Sequence, residues 1–386
     1  MKVEQIYSLM NTVTGEVLGK ADIVKEDLSN VVDVGTEIFN QTSVDNYVKS
    51  LVNHIGKVIF VNRPYVGNAP SVLMDGWEFG SVLEKIQADI PEAVENESWN
   101  LVDKQEYKQD IFYKPSVSAK FFNKRVTFEV AMSFTDRQVK ESFSSAEQLN
   151  GFLSMLYNSV EKSMSIKIDS LIMRTINNMI AETIKSDYAG SLTDLTQKSG
   201  VKAVNLLYLY NHKYTKTLTA EQAITDPDFI RFASYTISLY KDRLSKISTL
   251  FNVGGKERFT AGEYLHTILL SDFVSASDVF LQSNTFNKEM IALPKAERVP
   301  YWQGSGTDYS FAKTSDINVT CASGEDIAVS GVIGVMFDRD SLGVSNLNRR
   351  VTTNYNAKAE FYNNYYKFDA GYFNDLNENF VVFFME

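Results

Sequence analysis

Apolar residues fall on every second position through Val126, Phe128, Val130 and Met132, with Thr127, Glu129, Ala131 and Ser133 between them. That period of two predicts a strand with one covered face. The period then changes. Ser144, followed three residues later by Glu147, has the form of a capping box. An apolar stripe continues through Leu149, Phe152, Leu153, Leu156, Val160, Met164, Ile168, Leu171, Ile172, Ile176, Met179 and Ile180, and Gly190 lies just beyond its end. The stripe predicts a single helix of about forty residues, a rod of about 60 Å at about 1.5 Å per residue. Globular helices usually stop after about three or four turns, so this one acts as a girder.

Elsewhere the pattern is weaker but ordered. Residues 1–57 read as an arm with two helical patches, near Val3 to Met10 and around Val44 to Ile55, too poor in apolar residues to form a core of their own. Such an arm has to rest on something else. From Val58 to Asp136 the chain is turn-rich and strand-like, with a segment around Trp77 to Ile90, an acidic stretch through Glu92, Glu95 and Glu97, and the strand described above as the return. A two-stranded ribbon is marginally stable alone and is expected to pack on a neighbouring body or subunit.

Beyond the rod, Val201 to Tyr214 is apolar and aromatic, and Asp226 with Pro227 forms a helix start, Asp as cap and Pro at the first helical position. The stripe there is Phe229, Ala233, Ile237, Tyr240, Leu244 and Ile247, with Gly254 and Gly255 ending the region. Tyr264 to Val274 reads as helix or strand, and the stretch through Gly304, Ser305, Gly306 and Thr307 as surface loop. Val329 to Phe337 is an expected core strand, and Asn354 to Phe368 and Asn379 to Met385 are expected to close the fold. The order implies an α+β body whose termini return to one core.

Composition narrows what such a body does. With 386 residues, 44% of them hydrophobic, the chain can bury a sizeable core and is expected to form two subdomains. Its net charge of −10 argues against a dedicated nucleic-acid binder. The single cysteine, Cys321, excludes an intrachain disulfide framework and any multi-cysteine metal site, and is read as a small buried residue of a chain folded in a reducing cytoplasm. The first ten residues lack a signal-peptide pattern, and no apolar run approaches a membrane span. Aromatic residues are plentiful, 25 Phe and 20 Tyr, so contact areas are large. Tyrosines concentrate in Tyr355, Tyr362, Tyr365, Tyr366 and Tyr372, where a core with polar-tipped edges and an interface are both open readings.

A search for chemistry returns little. His54, His212 and His266 form no metal-ligand pair and read as structural or surface histidines. Gly254-Gly255-Lys256 has Leu250 where a phosphate loop needs its first glycine and Glu257 where it needs Ser or Thr. Lys120, Lys124 and Arg125, interleaved with Phe121 and Phe122, have three readings: a solvated strand face first, a basic patch meeting an acidic neighbour second, and a nucleic-acid strip third. No catalytic, cofactor-binding or metal residue is assigned.

The segment from Val117 to Val130, then Phe134 to Phe143 and the long helix, resembles the return strand of the extended loop and the spine helix of tailed-bacteriophage major capsid proteins, the Hong Kong 97-type fold. Asp226 to Ile247 looks like that fold's second helix, Phe259 to Phe273 like the segment after it, and Val332 to Arg339 with the closing strands like the return to the peripheral domain. The resemblance implies an N-terminal arm (1–57), an extended loop (58–136), a peripheral domain with the spine helix (137–200), an axial domain (201–328, with helix 226–247) and return strands (329–386). It further implies a non-enzymatic subunit of an icosahedral shell around double-stranded DNA, built as hexamers and pentamers in the host bacterial cytoplasm. Expected partners are a separate scaffolding protein, a portal, optional decoration proteins and DNA bound without sequence-specific contacts; no cofactor or membrane is expected. Trp77, Phe79, Lys120, Phe121, Phe122, Lys124 and Arg125 are the candidate inter-subunit contacts. The lysine–asparagine crosslink of some members is not carried over, because no matching acid and asparagine can be assigned. An encapsulin-like compartment is the alternative, and an enzyme using Glu325, Asp338 and Asp340 a more distant one.

Overall fold

The computed structural model describes residues 3–19, 24–41, 46–51, 69–74, 83–88, 90–91, 93–107, 110–189, 194–282, 293–302, 317–321 and 323–386. Gly190, His54, Trp77, Phe79 and the Gly304–Thr307 loop lie outside them. The rod is α5 (Ala146–Asp187), one unbroken helix of 42 residues. Its stripe is buried from Leu149 to Ile184, with Phe152 half-buried at its edge. Along the C-terminal half, Met173, Thr175, Asn177, Ala181 and Thr183 are buried as well. This half is wrapped, because strands from two sheets pack around it.

The start of the rod differs from expectation by one residue. A short helix, α4 (Asp136–Ser142), intervenes after the return strand, opened by a capping box between Thr135 and Gln138. Ser144 still belongs to the turn that closes α4, its amide donating to the carbonyl of Glu141 at 3.1 Å. Ser145 is therefore the cap of α5, its hydroxyl accepting from the Gln148 amide at 3.2 Å.

The N-terminal segment holds α1 (Val3–Leu18), α2 (Val31–Gln41) and a helical turn α3 (46–51). The second of these was not anticipated, although Val31, Val34 and Ile38 repeat at helical spacing and are buried. Phe39 and Tyr47 meet Phe143, at the foot of the rod, with ring centroids 5.3 Å apart in each case. The segment thus rests on the junction of α4 and α5.

Two sheets flank the rod. One has the order β1-β11-β12-β4, from β1 (Leu73–Met74), β11 (Leu342–Asn356), β12 (Phe361–Asn374) and β4 (Arg125–Thr135). The other has the order β5-β13-β10-β6-β7, from β5 (Ala203–Asn205), β13 (Phe380–Phe384), β10 (Val332–Asp338), β6 (Leu265–Leu270) and β7 (Glu297–Val299). The strand expected over Asn354 to Phe368 is instead a hairpin corner. Asn356 turns the chain there, its side-chain oxygen accepting from the amides of Lys358 and Ala359 at 3.1 and 3.2 Å. The strand expected from Val329 is likewise divided into β9 (Asp326–Val329), which pairs with β8 (Ile317–Thr320), and β10. Gly331 makes the break: its φ is +63°, and the Met385 carbonyl closes the space a side chain would need. Tyr362 and Tyr366 are buried, so the C-terminal tyrosines are in large part core.

α6 (Leu206–Tyr214), the one-turn α7 (Ala220–Ala223) and α8 (Pro227–Leu244) follow β5. α8 begins as read from sequence, with Asp226 accepting from the amides of Asp228 and Phe229 at 2.9 and 2.8 Å. Asp226→Ala is expected to cost about 1 kcal/mol, read as a lower denaturation midpoint. The helix ends at Leu244, well before the glycine pair, and Ile247 is left exposed. Tyr264 to Val274 divides into strand β6 and the start of α9 (Ser271–Gln282).

Candidate intersubunit surface

A separate two-stranded ribbon pairs β2 (Leu83–Ala88) with β3 (Val117–Phe122). Its antiparallel register sets Lys85 opposite Lys120, Gln87 opposite Ser118 and Leu83 opposite Phe122. Directly opposed residues share a face, so these six form one side. Glu84, Ile86, Ala88, Val117, Ala119 and Phe121 form the other. The arrangement inverts the usual one. The charged side turns inward, while Ile86, Val117 and Phe121 are 67%, 58% and 63% exposed. The excursion between the two strands carries more bare apolar surface: Trp99, Phe112 and Tyr113 are each more than four-fifths exposed. Apolar area of this extent on a water-facing ribbon is more than the scattered single apolar residues of an ordinary free surface.

The inward side is held by charge. Lys120 Nζ lies 2.7 Å from Asp375 Oδ1, and Lys85 Nζ lies 3.0 Å from Asp375 Oδ2 and 2.8 Å from Glu378 Oε1. Arg258 Nε reaches the same Glu378 oxygen at 3.3 Å, and Gln87 Nε2 donates to it at 2.6 Å. The Asp375 side chain is fully covered. Burial alone would raise its pKa, but the hydrogen bond from Lys120, the charge of Lys85 and the Asn377 amide outweigh burial and leave it below the ordinary carboxylate value.

Each sequence candidate within the described residues now has a place. Lys120 meets an acidic residue of its own chain, whereas Lys124 and Arg125 are exposed as on a solvated strand face. Phe122 packs on Phe373 at 5.1 Å, and Phe121 faces water. The Lys124 carbonyl accepts from the Tyr372 amide at 3.1 Å, and the residue lies at a cleft of about 410 Å³ between the ribbon root, α5 and β8. Arg125 opens β4; its charge, after the hydrogen bonds from Thr127 and Arg350, helps to overcome burial and hold Asp369 below its ordinary pKa. The structure therefore separates Phe121 from its neighbours: it faces outward, and Lys120 and Phe122 anchor. Sequence reading missed Lys85, Arg258, Asp375 and Glu378, because their pairings join positions up to 293 residues apart and leave no local pattern.

The remaining candidates for chemistry are occupied structurally. Glu325 pairs with Lys185 at 2.8 Å, whereas Asp338 accepts from the Asp340 amide at 2.9 Å at a strand end. Cys321 is buried, and burial first, then the charge of Glu182, pushes its thiol up to about 11. His212 stacks on Tyr208, and His266, whose pKa is lowered by burial, lies against Phe337. Among the described residues no helix is long and apolar enough to cross a membrane.

Comparison with known proteins places this geometry. The family model described as Phi29-like phage major capsid protein matches residues 10–384. The chain belongs to that family. A major capsid protein of Bacillus phage B103 is 22% identical over 217 residues, which cover 53% of this chain. The chain spans about half, 47%, of the length of this curated relative. Among solved structures, the capsid structure of Staphylococcus phage Andhra is similar with a TM-score of 0.50 and 10% identity, covering 84% of this chain and 85% of that one. The structure described as head fiber and inner core protein gp22 of native bacteriophage P68 matches with the same score and identity, covering 84% and 86%. At this identity the two likenesses speak for the fold alone. The capsid protein has an α+β, Hong Kong 97-type fold.

Proposed function

We propose that this capsid protein assembles, as hexamers and pentamers, into the icosahedral shell that encloses the double-stranded DNA of a tailed bacteriophage. The family match over residues 10–384 carries the reading. The unbroken 42-residue rod and the outward apolar side of the ribbon support it physically. The rod sets the span of a subunit, and the ribbon offers Ile86, Val117 and Phe121 to a sister molecule. Within this reading residues 1–57 are the arm, 58–136 the extended loop, 137–200 and 329–386 the peripheral domain and 201–328 the axial domain.

The role is structural, with no catalytic step. A separate scaffolding protein, a portal and optional decoration proteins complete the particle, which assembles in the host bacterial cytoplasm. An acidic chain meets packaged DNA without sequence-specific contacts.

The test is the double substitution Ile86→Asp with Phe121→Asp. Both side chains face water in the single chain, so the folded subunit should keep its circular dichroism spectrum and its denaturation midpoint. Negative-stain microscopy of the chain expressed with its neighbouring genes should show closed shells for the wild type and none for the variant. Shells of normal number and shape from the variant would remove the ribbon from the assembly surface.

A further inference from the structure

The ion cluster under the ribbon joins more than the ribbon and the strand beside it. Asp375 and Glu378 sit in the short connection between β12 and β13, hence between the two sheets. That connection is also stitched to the loop after α8. The Gly254 amide donates to the Leu376 carbonyl at 2.8 Å, the Phe380 amide donates to the Phe251 carbonyl at 2.9 Å, and Asn379 Nδ2 donates to Thr260 Oγ1 at 3.1 Å. Gly254 lies so close to the Asn377 side chain that an added Cβ would collide with it.

One residue of the loop reaches the ribbon itself. Arg258 Nη2 donates to Gln87 Oε1 at 2.9 Å while its Nε contacts Glu378, the acid that also takes Lys85. The loop is braced as a unit, with Ser248 and Arg258 exchanging backbone hydrogen bonds at 3.0 and 3.1 Å. Its outer side exposes Ile247, Leu250 and Phe259, each more than half exposed. The molecule therefore carries two bare apolar surfaces, the ribbon and this loop, both wired to Glu378.

We propose that the Arg258–Glu378–Gln87 contact is a mechanical coupling that makes the ribbon and the 247–260 loop change position together. A neighbour that seats the ribbon would thereby present the loop, and a neighbour that captures the loop would set the angle of the ribbon. The physical basis is that the junction is covered and charge-assisted, so a displacement of one segment is carried to the other before the contact parts. The Arg258, Lys85 and Glu378 side chains are only 15%, 18% and 10% exposed.

Hydrogen–deuterium exchange of the full-length chain, kept unassembled, tests the proposal. Arg258→Met should speed exchange by about tenfold in peptides covering 83–88 and 117–122 as well as in its own loop, with β10 unchanged. The reciprocal variant, Lys85→Met with Lys120→Met, should speed exchange across 247–260 although it alters no residue there. Lys246→Met, an exposed substitution just before the loop, should leave the ribbon unaffected. Should Arg258→Met fail to fold, Gln87→Leu removes the direct link and leaves the charges in place; it should still loosen the 247–260 loop. Effects confined in each variant to the segment that carries the substitution would overturn the coupling.

Discussion

Asp375→Ala is expected to release the ribbon from the body and to lower the stability of the folded chain by about 3 to 5 kcal/mol. The carboxylate is fully covered and lies within ion-pair distance of both Lys85 and Lys120. Removing it leaves two ammonium groups facing each other across the β2–β3 pair, with Arg258 nearby and Glu378 the remaining acid of the cluster. The loss is the cost of unpaired, poorly hydrated charge, so it should exceed that of any exposed ion pair, such as Arg137 with Glu141. Denaturant titration measures the change, and limited proteolysis should show new cleavage at the ribbon before the rest of the chain opens.

The same group sets an acid limit. Its folded pKa lies below the ordinary carboxylate value, so its contribution is fully present above the unfolded value and is lost as the pH falls through the folded one. Wild type should therefore lose part of its stability on the acid side of the ordinary carboxylate range. Asp375→Asn should show a flatter dependence there. An Asp375→Ala chain as stable as wild type, with a protected ribbon, would show that the cluster does not hold the two parts together.

Ile172→Pro is expected to prevent accumulation of folded protein altogether. Ile172 is buried at the middle of α5. Proline there removes one helical hydrogen bond and drives its ring against the carbonyl of Ile168, costing about 3 kcal/mol or more. Loss of a fully buried isoleucine side chain adds about 2 to 5 kcal/mol. Together these approach or exceed the margin of about 5 to 15 kcal/mol that holds a typical domain folded. Ile172→Val, in contrast, should cost only about 0.5 to 1.5 kcal/mol and still allow shells. Solubility on expression and helical circular dichroism distinguish the pair. A soluble, helical proline variant would mean that the rod tolerates a kink and is not the stiff member on which the subunit depends.

The parts of this fold legible in the sequence are those specified by neighbours along the chain. The rod could be read because its stripe repeats over many turns, and α8 because Asp226 and Pro227 announce its first turn. The return strand β4 could be read from its alternation. Where a single residue redirects the chain, the reading slipped: Gly331 divides β9 from β10, and Asn356 folds one expected strand into the β11–β12 corner. α2 was missed because its stripe is short and interrupted by Gly35, which the structure places directly against the Phe143 ring. The candidate surface was legible only in part. A basic strip beside Phe121 and Phe122 could be seen, but which side each residue faces follows from strand register, and the acids that meet it come from the far end of the chain.

The inside-out ribbon has a consequence for the life of the free subunit. A molecule that shows Ile86, Phe121 and Trp99 to water stays free only when dilute, since sticking to copies in the wrong register rises steeply with concentration. A cell making this chain to high level without an outlet should therefore collect it as precipitate.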